Sequence, residues 1–159
     1  CRQLISMGVI KDQDCIKKGF ANVTETTGLR GRWERIQTSP TVICDTGHNV
    51  AGWQYLSEQI KKQPCKQLRM VFGMVDDKDI DRVCELLPKN AIYYFTQAST
   101  HRAIPVEKVK EDGEKHQLRG NSYPTVAAAY TAALKDADKD DFIFVGGSSY
   151  VVADFLTDF

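Results

Sequence analysis

The chain has 159 residues, one average domain's worth, of which 42% are apolar and 26% charged, a balance that excludes disorder. Its 21 Lys and Arg offset 21 Asp and Glu, so the strongly basic footprint of a non-specific nucleic-acid binder is missing, and no run of about 18 apolar residues exists to cross a membrane. The start lacks an initiator Met and the apolar core of a signal peptide, so the chain reads as processed or excised from something longer. Five cysteines, at 1, 15, 44, 65 and 84, are odd in number, widely spaced and form no C-x-x-C pair. Reduced thiols in a cytoplasmic protein are expected, with no metal ligands.

Residues 1–30 read differently from the rest. Leu4, Ile5 and Val9 suit the end of a helix and residues 12–18 another short one. Residues 22–31 are polar, threonine-rich and glycine-flanked, and read as a linker. The chain is therefore divided into 1–30 and 31–159. Residues 33–37 and 41–44 are short strands around a turn at Thr38, Ser39 and Pro40. Asn49 caps a helix carrying Val50, Trp53, Leu56 and Ile60 on one face. Residues 68–72 are a strand, and Asp79 opens a helix in which Ile80, Val83, Cys84 and Leu87 recur at helical spacing. Residues 92–95 are the next strand, and Pro105 takes a first helical position before Val106 and Val109. Residues 125–137 are the clearest helix, 142–145 an apolar strand covered on both faces, and a last helix starts near Tyr150. This alternation predicts a doubly wound α/β fold: a Rossmann-like three-layer domain with a mostly parallel sheet and one antiparallel edge strand, residues 33–37.

Open parallel sheets bind ligands beyond the carboxyl ends of their strands. Four segments fall there: Asp45 to Asn49, Gly73 to Asp79, Thr96 to Arg102, and Gly146 to Tyr150. Each is rich in glycine, hydroxyls or charge, and the helix starts among them suit phosphate or carboxylate. In Asp45-x-x-His48-Asn49 the carboxylate suits ribose hydroxyls or a metal's water and the imidazole a phosphate oxygen; a plain helix start with a solvated His48 fits as well. Arg30 and Arg32 suit nucleotide phosphates presented across a domain boundary, or are surface arginines. His101 and Arg102 suit an anionic substrate or decorate a loop. Asp76 to Asp79 reads as a salt-bridged helix start, and His116 as a surface residue. Gly146, Gly147 and Ser148 suit both a close ligand approach and a capped turn. No phosphate loop, G-x-G-x-x-G or G-x-S-x-G is present, so the rim is suited to holding rather than to covalent attack.

Gly31-Arg32-Trp33-Glu34, Asp45-x-x-His48-Asn49, Val71-Phe72-Gly73 with Asp77-Lys78-Asp79, and Gly147-Ser148-x-Tyr150 together resemble the C-terminal domain of bifunctional folylpolyglutamate synthase/dihydrofolate synthase, within the Mur ligase superfamily. The resemblance covers essentially the whole chain, with 1–30 similar to the end of the central ATPase domain and the interdomain linker, and 31–159 to the C-terminal α/β domain. It implies an ATP-dependent, ADP-forming ligase that adds L-glutamate to dihydropteroate or folate through an acyl phosphate. It also implies Arg32 and Asp45 on the ATP, and His48 as the catalytic residue near the phosphates or the incoming glutamate, with Ser148 and Tyr150 on the substrate side; Arg102 joins them there as a substrate candidate on its charge alone. The family's phosphate loop and Mg²⁺ ligands would lie in its own ATPase domain, outside this chain, which alone is expected to be inactive. Two departures stand out: Thr46-Gly47 between the acid and the histidine, and Val50 where the family has proline. Alternatives are a Mur-type peptidoglycan-precursor ligase and a non-catalytic flavodoxin-like binding domain. Expected partners are small anions and the ATPase domain, with no nucleic acid and no membrane.

Overall fold

The structure, a computed structural model, describes residues 1–10, 12–76 and 79–159. Three short helices come first, α1 (Arg2–Ser6), α2 (Gln13–Ala21) and α3 (Val23–Thr27). Then follow β1 (Glu34–Thr38), β2 (Thr41–Asp45), α4 (Val50–Lys61), β3 (Leu68–Phe72), α5 (Ile80–Leu86), β4 (Ile92–Phe95), α6 (Val106–Lys115), β5 (Arg119–Ser122), α7 (Val126–Asp136), β6 (Phe142–Gly146) and α8 (Ser149–Asp158). Among the described residues the strands form one sheet of six in the order β1-β2-β6-β3-β4-β5. β1 runs antiparallel to β2 at one edge and the other pairs are parallel, as the alternation predicts.

Side chains alternate between faces along each strand and so divide the core in two. Ile43, Met70, Phe72, Tyr93, Phe95, Phe142 and Phe144 pack under Trp53, Leu56 and Ile60 of α4, Val83 of α5 and Val109 of α6. Val42, Cys44, Val71, Tyr94, Ile143 and Val145 pack under Tyr130 and Ala133 of α7 and Val151 and Phe155 of α8. Strands β3 and β6 are buried along their whole length, because helices cover both faces. At the amino-terminal edge of the sheet, buried Arg69 pairs with Asp141 at 2.9 Å and donates to the Tyr94 hydroxyl at 2.9 Å and the Asp136 carbonyl at 2.6 Å. Burial pushes the Tyr94 hydroxyl up to about 12, and its hydrogen bond to Asp136 acts in the same direction.

The structure departs from expectation at three points. Residues 22–31 are not all linker: α3 lies within them, held by Thr26 and Thr27 hydroxyls that donate back to the Asn22 and Val23 carbonyls. Strand β5 has no counterpart in the sequence reading. Its residues Arg-Gly-Asn-Ser carry no apolar alternation, since an edge strand can form through its backbone ladder to β4 alone. Pro105 sits at the cap of α6, one place before the first helical position. Asp79 caps α5 as expected, accepting from the Arg82 N–H at 3.1 Å, whereas Asp77 and Lys78 lie outside the described residues.

Candidate functional site

Asp45, Gly146, Phe72, Phe95 and Ser122 lie side by side in register, so the loops after β2, β6, β3, β4 and β5 leave from one rim. Neighbouring strands β2 and β6 feed helices on opposite faces, α4 and α8, the kind of strand-end position at which open sheets bind ligands. Asn49 caps α4 by accepting from the Gly52 N–H at 2.8 Å, as its sequence position predicts.

Asp45 does not cap that helix. Its Oδ2 accepts from the Trp33 N–H at 2.7 Å and its Oδ1 from the Gly47 N–H at 2.8 Å. Trp33 has a left-handed backbone, φ 47°, a conformation costly for a side chain of this size. The carboxylate holds it there, and the indole packs against Phe144 with ring centroids 6.2 Å apart. Gly31, φ 68°, precedes it. A Cβ at Gly31 would lie 2.8 Å from Val152 Cγ1 and 2.9 Å from Thr46 Cγ2, so dihedral and space both require glycine. Glu34 Oε2 accepts from the Gly31 N–H at 2.7 Å, Glu34 Oε1 from Arg30, and the Gly31 carbonyl accepts from the Thr46 N–H at 2.9 Å.

This clamp fixes the position of Arg32, whose exposed side chain donates one N–H to the Thr46 hydroxyl. The guanidinium fork keeps further donors for an anion. His48 Nδ1 lies 3.0 Å from the Thr46 carbonyl. A carbonyl only accepts, so this pairing places the proton on Nδ1 and leaves Nε2 of the neutral ring as an acceptor. Arg32, Asp45, His48, Asn49, Tyr55 and Gln59 line a groove of about 300 Å³ beside α4. Three of the residues singled out by sequence thus meet in one place.

The other three lie at the start of α8 or beside it. Gly147, φ 108°, turns the chain out of β6, and a Cβ there would fall 2.3 Å from the Gly73 carbonyl oxygen. Ser148 is buried, and its Oγ accepts from the Val151 N–H at 3.1 Å, capping α8. Tyr150 projects from the first turn with the Arg102 guanidinium 5.9 Å above its ring centroid. The Arg102 carbonyl is held by the Asp76 N–H at 2.9 Å. His101 is exposed, and His116 Nε2 pairs with Asp81 at 2.7 Å between α6 and α5, away from both groups.

Among the described residues no cluster of three or more His, Cys, Asp or Glu side chains is placed to hold a metal ion. Nor is any helix long and apolar enough to cross a membrane. Sequence reasoning did not single out Tyr55, and it marked Thr46 only as a departure from the family pattern, not as a partner of Arg32. Tyr55 carried a usable signal, an aromatic residue on α4 outside the face of Trp53, Leu56 and Ile60.

The fold and its divided rim define a class, and residues 31–149 match it as a Mur ligase, glutamate ligase domain. The chain belongs to that family. It is 31% identical over 153 residues to the dihydrofolate synthase/folylpolyglutamate synthase of Escherichia coli K12, covering 94% of this chain and 34% of the enzyme. The solved structure of E. coli FolC in complex with DHPP and ADP superposes with a TM-score of 0.80 at 30% identity, over 92% of this chain and 34% of that one. A bifunctional folylpolyglutamate synthase/dihydrofolate synthase with Mn, AMPPNP and L-glutamate bound gives a TM-score of 0.72 at 26% identity, over 84% and 32%. The chain therefore spans about a third of the length of the relatives it matches.

Proposed function

We propose that this chain is the nucleotide- and glutamate-side domain of a longer ATP-dependent, ADP-forming ligase that adds L-glutamate to dihydropteroate or a folate. The observation that carries the reading is the convergence of Arg32, Asp45 and His48 on one groove at the diverging strand ends. The ADP, DHPP, AMPPNP and L-glutamate bound in the related structures support it.

In this reading a carboxylate of the pteroate or folate attacks the γ-phosphorus of ATP and ADP leaves. The glutamate amine then attacks the acyl carbon and phosphate departs, so no enzyme nucleophile is needed. Arg32 neutralises phosphate charge with its remaining N–H groups. Asp45, oriented by the Trp33 and Gly47 amides, keeps an acceptor position on each oxygen for ribose hydroxyls. His48 Nε2 takes the proton released by the attacking amine. Arg102, steadied over Tyr150, meets a glutamate carboxylate, and buried Ser148 serves the substrate side by setting the first turn of α8.

In this reading Mg²⁺ accompanies the nucleotide, held by ligands of the ATPase domain. Residues 31–159 are the C-terminal α/β domain and 1–30 the end of the ATPase domain with its linker. The exposure of Leu4, Met7, Val9, Phe20 and Leu29 favours that division, since apolar side chains of this number call for cover. The enzyme works in the cytoplasm on small anions. The test is ADP release by the full-length protein given ATP, Mg²⁺, L-glutamate and either dihydropteroate or a folate. No ADP with either acceptor refutes the reading, and preference for an amino acid other than glutamate redirects it to a peptidoglycan-precursor ligase.

A further inference from the structure

The backbone clamp holds the main chain at Arg32 but does not decide where the long, flexible stem puts the guanidinium. That side chain is exposed, and among the described residues the Thr46 hydroxyl is the one group it bonds. Thr46 is itself held on three sides. Its N–H donates to the Gly31 carbonyl at 2.9 Å, and its carbonyl lies 3.0 Å from His48 Nδ1. Its Cγ2 fills the space beside Gly31, 2.9 Å from where a Cβ at that glycine would sit. A β-branched side chain is stiff at χ1, so seating the methyl against Gly31 also aims the hydroxyl. One residue between Asp45 and Gly47 thus touches the Gly31 backbone, the Arg32 side chain and the His48 ring.

We propose that Thr46 is a positioning residue of the groove: its hydroxyl selects the arrangement of the Arg32 stem that presents the guanidinium to the space shared with Asp45 and His48. An arginine ordered in advance spares a bound oxyanion the entropy cost of ordering it. The contact needs no ligand, and only its consequence for ATP rests on the nucleotide reading given above.

The experiment uses the full-length protein and two variants, with melting temperature as the check on folding. Thr46→Val keeps the branched shape and both backbone contacts and removes the hydroxyl, whereas Thr46→Ser keeps the hydroxyl. Phenylglyoxal labelling mapped by mass spectrometry, with no nucleotide present, reads Arg32 directly. Arg32 reacts about threefold faster in Thr46→Val than in the parent, the scale of one net hydrogen bond, and at a rate between the two in Thr46→Ser. KM for ATP rises about fivefold in Thr46→Val, the scale of ordering one long side chain, while kcat and the KM for glutamate stay within about twofold. Thr46→Ser recovers most of that rise. Equal labelling of Arg32 in the parent and Thr46→Val overturns the inference. So does faster labelling with an unchanged KM for ATP, or a loss in Thr46→Ser as large as in Thr46→Val, which would assign the effect to packing. If the parent protein forms no ADP at all, the nucleotide reading fails, and the labelling alone decides whether Thr46 positions Arg32.

Discussion

Asp45→Asn tests whether the groove is built by charge or by shape. The carboxylate accepts two backbone N–H groups, one on each oxygen, at 2.7 and 2.8 Å. An asparagine of the same size offers one oxygen. Its NH₂ group must face the Trp33 or the Gly47 amide, donor against donor. Losing one hydrogen bond to a charged acceptor costs about 1.5–3 kcal/mol, and the surviving bond weakens once its acceptor is neutral. The sum is about 2–4 kcal/mol, which for a chain of this size lowers the melting temperature by about 5–15 °C. Thermal melts and urea titrations of the 159-residue chain and its variant measure this directly. A variant that melts within about 1 °C of the parent refutes the reasoning, because the Trp33 backbone would then need no anion to hold it.

Three further outcomes are expected. In the full-length protein His48→Ala lowers kcat by about 10²–10⁴ with little change in the KM for ATP, and an unaltered kcat removes Nε2 from the chemistry. Arg69→Leu leaves the Asp141 carboxylate buried without its guanidinium and destabilises the chain by about 3–5 kcal/mol; the double change Arg69→Met with Asp141→Leu recovers most of that in the same melts, and equal losses would argue against an ionic cause. Burial pushes the Cys44 and Cys84 thiols up to about 12, above their unfolded value of 9.0, so the stability linked to them is complete below that value and falls as pH rises beyond it. Alkylation of the native protein at neutral pH therefore modifies Cys1, Cys15 and Cys65 and spares Cys44 and Cys84, and rapid modification of all five contradicts their burial.

The sheet was legible in the sequence wherever a strand is buried. Phe142 to Val145 and Leu68 to Phe72 announce themselves because apolar residues dominate between two helical layers, with the paired Arg69 the exception at the start of β3. Strand β5 was not legible, since its pairing uses backbone groups that every residue carries. The Asn49 and Asp79 caps were readable from residue type at a helix start. The role of Asp45 was only half readable. Its place at a strand end is a matter of order along the chain, but its grip on Trp33 reaches back 12 residues and depends on how β1 folds over β2. Likewise, no local pattern shows that Arg102 lies over Tyr150, because those residues are joined only through the register of separate strands. Ser148 shows the opposite case, in which a local cap accounts for much of what its position suggested.

The clamp on the loop before β1 also decides how force travels. Gly31 N–H to Glu34, Trp33 N–H to Asp45 and Thr46 N–H to the Gly31 carbonyl moor that loop to the sheet at both ends. Gly28 and Leu29 bond back to α3 through the Thr24 carbonyl and the Thr27 hydroxyl, so the mooring begins at Gly31. Arg32 and Asp45 therefore keep step with each other whichever way the preceding chain swings. The Arg32 side and the Asp45 side of the groove turn together as one jaw.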